Sequence, residues 1–502
     1  MFSEAGYYAA FKKVRNKFRK YRYYELIGGA LEYINAPANN KIESIKRHPW
    51  MVMLFVKWVL LDNQYPNIRG KVATKDDIHS LLQSMYEMAD KLRMPNEYDH
   101  YSLFLRNIAF QQFLYQIDFY YAHLSRQSIL FSGLDKNHYI YKEFVKYTGL
   151  EVQDFLDLSL MALVRFLDTN EAFLPDNWFS TVNSKYSAKK VNCFLAAISK
   201  DINDIRQTLL SEDKGKRPAV ENYELTPFVE FPLIKVPGKY ILTHKNILFR
   251  RLEYFVYDIM RSIDAAKFMD KFGELFERYV EKSLKHSEAT FLTENEIKRL
   301  LGIAGNQIDF LIQDDSSNIF IDAKAVEMNT QGKTTHSTEI IRHKTKTSIL
   351  KAIKQSHDVI KKLADSSNRA IPSSPNNYLL VITFKDLHLG SGTNYYEVIA
   401  KDKIDEIYYE YNNYPCIPPE NMYFITIDDF DVLTDILKQK NFTLSGIMDI
   451  AKNNDKDPVT RKFDFRQHIQ SLNITPQTSD YLVFEKDNMF ERILEAAKNN
   501  NA

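Results

Sequence analysis

The sequence predicts a mainly α-helical first half followed by an α/β core, a mixed central sheet flanked by helices. Three observations carry this reading. Over roughly the first 210 residues, apolar side chains recur three and four apart, as in Ile78, Leu81, Leu82, Met85, Met88 and Leu92. Beyond about residue 290, short apolar runs alternate with long helical patterns, the signature of an α/β layer. Between them lies Ser211–Glu224, a polar stretch with Gly and Pro that reads as a boundary. A chain of 502 residues exceeds one ordinary hydrophobic core, so roughly two to four domains are expected.

Taken in order, the most apolar stretch is Met51–Leu61. It is interrupted by Lys57 and is far shorter than the ~20 residues of a membrane span, so it reads as a buried helix. Two apolar runs around Pro237 and Gly238 predict a β-hairpin over 228–242. Helical patterns follow over 246–260 and 265–284. Strands are expected at Thr290–Glu294, Asn306–Gln313 and Asn318–Ala323, the last two separated by the polar turn Asp314–Ser317. A long helix is expected over Thr338–Leu363, then a Ser-, Asn- and Pro-rich loop over Asp365–Asn377. Tyr378–Phe384 should be a central strand, with further strands at Tyr395–Ile399 and Met422–Ile427 and mostly helix after Asp428. This divides the chain into a helical recognition or interaction domain (1–215), an α/β domain (225–430) and a helical C-terminal extension (431–502).

Composition excludes little. Apolar residues at 45% and charged residues at 26% are ordinary for a folded soluble protein. A net charge of +1 rules out a chain-wide nucleic-acid signature, so any such footprint is local. Aromatics, at 13%, serve equally for cores and for base stacking. Cys193 and Cys416 lie far apart and make no metal-type pair, which fits a reducing, cytoplasmic location. No secretory segment is expected at the N-terminus. His286, His336, His343 and His357 lack metal-ligand spacing, although His336 and His343 are candidates to line a substrate groove. The glycine-rich Leu389–Gly392 has no following P-loop lysine and reads as a plain loop.

The chemistry concentrates between Gly273 and Gln355. Asp309 falls in one strand candidate, and Asp322 and Lys324 end the next. Residues two apart on a strand share a face, so Asp322 and Lys324 project together, and a hairpin would bring Asp309 to them. Carboxylates held together repel, and a bound cation relieves this. Mg²⁺ takes few carboxylates and keeps waters and substrate phosphate oxygens, while an adjacent lysine stabilises developing charge. The bland alternative is a surface cross-strand ion pair. Nearby, 333–362 carries eight Lys/Arg against two acids, with Lys344, Lys346 and Lys351 as phosphate-contact candidates. A second basic segment, Phe11–Tyr24, interleaves seven Lys/Arg with five aromatics. It suits nucleic acid or an acidic partner or second subunit.

These residues resemble the PD-(D/E)XK nuclease superfamily. Asp309 followed by Asp322, Ala323 and Lys324 matches its core Asp and (D/E)-x-K. The helix around Phe272–Val280 resembles the family's preceding helix, with Glu277 rather than Glu274 at the family's carboxylate position. Gln355 falls in the helix after the (D/E)-x-K strand, where many members carry a glutamine. Ile308 stands where the family's proline would be, and Val359 where one branch has tyrosine. The likeness covers about 228–399, roughly a third of the chain.

The resemblance implies a restriction-endonuclease-like α/β core and a Mg²⁺- or Mn²⁺-dependent deoxyribonuclease of endonuclease type. Asp309, Asp322 and Glu277 would hold metal, Lys324 would assist the nucleophile or transition state, and Gln355 would position substrate or water. A large helical region fused to such a core resembles bacterial restriction and anti-phage defence proteins. The helical domain would recognise nucleic acid, a partner protein or a second copy of the chain. The alternatives are an RNA-directed nuclease, or a binding or oligomerising module with an idle nuclease fold.

Overall fold

The computed structural model describes residues 2–500 apart from 117, 170, 306, 315–316 and 367–373. The centre of the 314–317 turn and part of the 365–377 loop therefore lie outside the described residues. The chain forms two compact units, Met1–Asp264 with Phe484–Ala502, and Ala265–Val483. The division falls beyond the polar 211–224 stretch, and the 228–242 hairpin belongs to the first unit. No helix among the described residues is long and apolar enough to cross a membrane.

The first unit is mainly helical. Its central helix, Pro49–Leu61, is apolar on all sides because it is encased: every residue but Trp50 and Lys57 is buried. Lys57 interrupts the run to reach Glu221 at 3.2 Å, and the Trp58 indole N–H donates to the same carboxylate. Phe11 meets Trp58 edge-on at 4.8 Å, and Phe18 meets Phe55 at 5.9 Å. Phe11, Phe18 and Tyr23 of the basic–aromatic segment are thus core residues rather than a base-stacking surface. Arg19 of the same segment clamps the Asp62 carboxylate at 2.8 Å.

Four strands join this unit: β1 (Phe173–Pro175), β2 (Ser199–Asp201), β3 (Leu233–Val236) and β4 (Lys239–Leu242), in the order β1-β4-β3-β2. The expected hairpin is present over 233–242, with Gly238 in the left-handed region (φ 78°) at its turn, but the apolar residues 228–229 expected in its first strand lie in a 3-10 turn, Pro227–Val229. β1 and β2 escape sequence reading because three residues are too few to show alternation.

The tail returns to this unit through a buried ion pair. Arg492 donates to both oxygens of Asp157 at 2.9 Å, and Asp157 is 1% exposed. Removing one partner strands a buried charge, so Arg492→Ala should cost about 2–3 kcal/mol, read as a drop in urea midpoint at unchanged m-value. An unchanged midpoint would show that the tail contributes nothing to the unit's stability.

The second unit is α/β. Its sheet runs β5 (Phe291–Thr293), β6 (Phe310–Asp314), β7 (Ser317–Lys324), β8 (Asn376–Thr383) and β9 (Met422–Thr426), hydrogen-bonded in that order. β5, β6 and β7 pair antiparallel, and β7, β8 and β9 pair parallel. The sheet is therefore mixed. β8 lies inside the sheet, between β7 and β9, and is buried on both faces, which is why Tyr378–Ile382 reads as one unbroken apolar run. On the helix Ala265–His286 the buried positions Phe268, Phe272, Phe276, Tyr279, Val280 and Ser283 fall three and four apart on one face. Phe272 and Phe276 meet Phe384 edge-on just past β8. Tyr279 and Ser283 then donate to Asp431 at 2.8 and 2.9 Å, tying this helix to Ile427–Lys438.

One expected strand is helical. Tyr395–Ile399 forms a π-helical turn, Tyr395–Ala400, that continues into helix Lys401–Glu410. The buried residues Tyr395, Ile399 and Ala400 of the turn and Ile404 and Ile407 of the helix recur at helical intervals, and apolar composition over five residues does not separate helix from strand. The helix expected over 338–363 is present as Thr338–Thr345 and Lys351–Asp365, joined by a π-turn at Lys346–Leu350.

Candidate active site

The β6–β7 pair delivers the central carboxylates. Phe310 lies opposite Ile321, so one further step along that register sets Asp309 opposite Asp322. Asp309 is not itself in the strand, contrary to the expectation over 306–313; it is a bend residue directly before Phe310. The cause is local. Its Oδ2 accepts the Ala323 N–H at 2.6 Å and so occupies the donor that a continuing ladder would use.

Asp322 and Lys324 share a face of β7, as their spacing predicts, and Lys324 Nζ lies 2.6 Å from Asp322 Oδ2. The pair is not a surface ion pair. Asp322 is 0% exposed, and apart from the Lys324 ammonium and the neighbouring Asp309 carboxyl no group among the described residues hydrogen-bonds either of its oxygens. A buried carboxylate balanced by one ammonium and crowded by a second carboxyl is costly unless something else enters the site. Burial, and then the adjacent Asp322 charge, push the Asp309 carboxyl well above the ordinary carboxylate range, against the lowering effect of Lys324.

Glu277 projects from the helix Ala265–His286. Its carboxyl is raised by partial burial, then by the charges of Glu294, Glu281 and Asp322. It shares the field of the site, but the oxygens of Glu277, Asp309 and Asp322 do not all lie within 4.8 Å of one another. Gln355 is buried, which removes the solvated-face alternative, and its Nε2 donates to the Gln307 carbonyl at 3.1 Å. The Gln307 N–H in turn donates to Glu294 at 2.7 Å. Gln355 therefore holds the backbone two residues before Asp309.

Lys344, Lys346 and Lys351 make no ion pair among the described residues, and Lys346 and Lys351 are exposed. Other basic residues of that run are engaged: Arg342 with Asp402 at 2.7 Å and Lys354 with Glu410 at 2.9 Å. His343 is exposed. His357 is a core residue whose Nδ1–H donates to Ile353 O while Nε2 accepts the Ile417 N–H.

Two features at the site escape sequence reading. Glu294, the first residue of the helix Glu294–Leu301, pairs with Lys298 like an ordinary surface carboxylate, yet it also anchors Gln307. Past the ends of β7 and β8, Glu327 joins Lys333 at 2.8 Å and Lys385 at 3.2 Å in a nearly buried triad. A lysine directly after a buried parallel strand is the signal that would have found Lys385, since ligands favour the carboxyl ends of such strands.

At the ends of β8 and β9, burial and the charges of Asp386 and Asp429 push Asp464 up to about 6 from 3.8. Its folded pKa is raised, so its charge destabilises the fold above that pH, and the cost fades as pH falls toward the unfolded value. Asp464→Asn should therefore raise Tm at neutral and higher pH, by about 2 kcal/mol, and the gain should vanish near the ordinary carboxylate pKa. Asparagine can still cap the helix Phe465–Ser471. A gain independent of pH would contradict this assignment.

No family model and no curated protein matches the chain.

Proposed function

We propose that the second unit is a PD-(D/E)XK-type nuclease that hydrolyses DNA phosphodiesters with Mg²⁺ or Mn²⁺. The observation that carries the reading is the buried Asp322 carboxylate, opposite Asp309 and 2.6 Å from Lys324, with no other hydrogen-bond donor on its oxygens among the described residues. An all-oxygen donor set of this kind, on crowded carboxyls that resist ionising together, fits a hard divalent cation. The strand arrangement supports it further: an antiparallel β5–β6–β7 meander runs into parallel β8 and β9, with Ala265–His286 ahead of it and Lys351–Asp365 between β7 and β8.

In this reading Asp309 and Asp322 would hold the cation, and Glu277, not close enough to form one ligand cluster with both, would add its charge to the field of the site from the neighbouring helix. When bound, the ion supplies Lewis-acid polarisation of a phosphoryl oxygen and a more acidic water. Lys324, fixed by Asp322, places its ammonium where negative charge develops in the transition state. Gln355 acts as a positioning residue: through Gln307 it sets the backbone that carries Asp309. Gln355→Ala should lower kcat about tenfold without abolishing it, with KM for DNA little changed. A loss as large as that of a metal ligand, or none, would contradict the positioning role.

Lys344, Lys346 and Lys351 are offered to backbone phosphates. Replacing all three by glutamate should flatten the salt dependence of DNA binding by about three phosphate contacts. The helical unit serves as the recognition arm, and restriction or anti-phage defence is the setting such a fusion suits. The test is metal-dependent cleavage of DNA, with RNA as the parallel substrate. Cutting of RNA alone would transfer the reading to a ribonuclease.

A further inference from the structure

We infer that the first unit carries a binding site for a free mononucleotide, in the cavity bordered by helices Tyr23–Asn35 and Lys75–Glu87 and the start of Pro49–Leu61. The inference does not depend on the nuclease reading. The cavity holds about 270 Å³, close to the lower end of the ~300–1,000 Å³ range of small-molecule sites.

Its walls are aromatic. His79 and Tyr86, seven residues apart, lie on one face of the helix Lys75–Glu87 together with Leu82 and Gln83, and all four line the cavity. The alternate positions Ile78, Leu81 and Met85 are buried. Met85 borders the cavity as well and Leu82 packs partly on the core, so the core stripe accounts for those two but not for His79, Gln83 and Tyr86. Tyr33 meets His79 at 5.1 Å, and His48 meets Tyr86 at 4.9 Å with the rings tilted by 35°. Planar ligands suit such surfaces, because every nucleobase offers a π-face to stack.

His48 is held there against local preference. It occupies the left-handed region (φ 49°, ψ 58°) directly before Pro49, where the preceding residue is normally extended. Non-glycine residues persist in that region only when the surroundings hold them, and they collect at ligand sites. Burial lowers the His48 pKa, so its ring stacks as the neutral imidazole.

The charge of the lining gives the rest of the ligand. It includes Lys46 and Arg47 and no carboxylate. Arg47 is engaged with the Pro37 carbonyl and Glu43. Lys46 is exposed and makes no ion pair among the described residues. One uncommitted ammonium beside an aromatic slot calls for an aromatic base bearing phosphate, and Gln83 supplies an amide that can pair with a base edge.

Calorimetric titration of the full chain with AMP, GMP, CMP and UMP tests this, with adenosine, inorganic phosphate and a 5′-phosphorylated dinucleotide as comparison arms. At least one mononucleotide should bind one per chain and more tightly than adenosine or phosphate. Lys46→Glu and Tyr86→Ala should each weaken it about tenfold, while Tyr86→Phe retains it. Both side chains are exposed, Tyr86 by 49%, so folding should survive, and circular dichroism melts check that it does. Absence of mononucleotide binding by the folded protein overturns the proposal. So does binding that ignores both substitutions, or binding of the dinucleotide alone.

Discussion

Asp322→Asn should abolish cleavage, by about a thousandfold or more, and at the same time stabilise the metal-free protein. The two effects have one cause. Asp322 is fully buried, and among the described residues only Lys324 and the Asp309 carboxyl meet its oxygens. Among the described residues its charge is balanced by Lys324 alone, and it crowds the Asp309 carboxyl, which resists ionising beside it. A neutral amide of the same shape removes that cost, so Tm in EDTA should rise, by about 1–3 kcal/mol of stability. It also removes a ligand charge, so added Mg²⁺ should raise the Tm of wild type and leave the variant unmoved. A site kept for its chemistry and not for stability behaves in this way. If Asp322→Asn lowers Tm in EDTA, the carboxylate is a structural partner and the account of the site is wrong.

Lys324→Ala should shift stability in the opposite direction. It removes the only cation paired with Asp322 among the described residues. An uncompensated buried charge remains, and the metal-free protein should lose about 2–3 kcal/mol. Mg²⁺ should restore most of this loss, because a bound ion supplies the missing positive charge. Turnover should not recover: it should fall about 10²–10³-fold at saturating metal, since the ammonium acts on charge that develops only in the transition state. Thermal melts with EDTA and with Mg²⁺, alongside single-turnover cleavage, separate the two losses. Recovery of both stability and rate with metal would assign Lys324 a purely structural role.

Much of this arrangement was legible in the sequence because it rests on the period of a strand. Asp322 and Lys324 are two apart at the end of an apolar run, and that spacing alone fixes their shared face. The hairpin with Asp309 followed from two runs and a polar turn. The exact state of Asp309 did not, because its departure from the strand depends on a side chain capturing the Ala323 N–H across the pair. Tyr395–Ile399 was misread for the reason that limits any five-residue window: the buried partners that decide between helix and strand lie elsewhere in the chain. Burial of Gln355 and the Glu327–Lys333–Lys385 triad likewise depend on contacts that no local pattern encodes. The aromatics of Phe11–Tyr24 show the converse. Interleaving with lysine and arginine reads as a nucleic-acid surface, whereas the spacing of Phe11, Val14 and Phe18 already marks one buried helical face.

The most direct test of the central claim is cleavage of supercoiled and linear DNA by the purified full chain with Mg²⁺ or Mn²⁺. Parallel reactions contain EDTA, Asp322→Asn or Lys324→Ala. The account predicts metal-dependent cutting by wild type that EDTA and Asp322→Asn abolish and Lys324→Ala nearly abolishes. Cutting that persists in Asp322→Asn, or that needs no divalent cation, would contradict it.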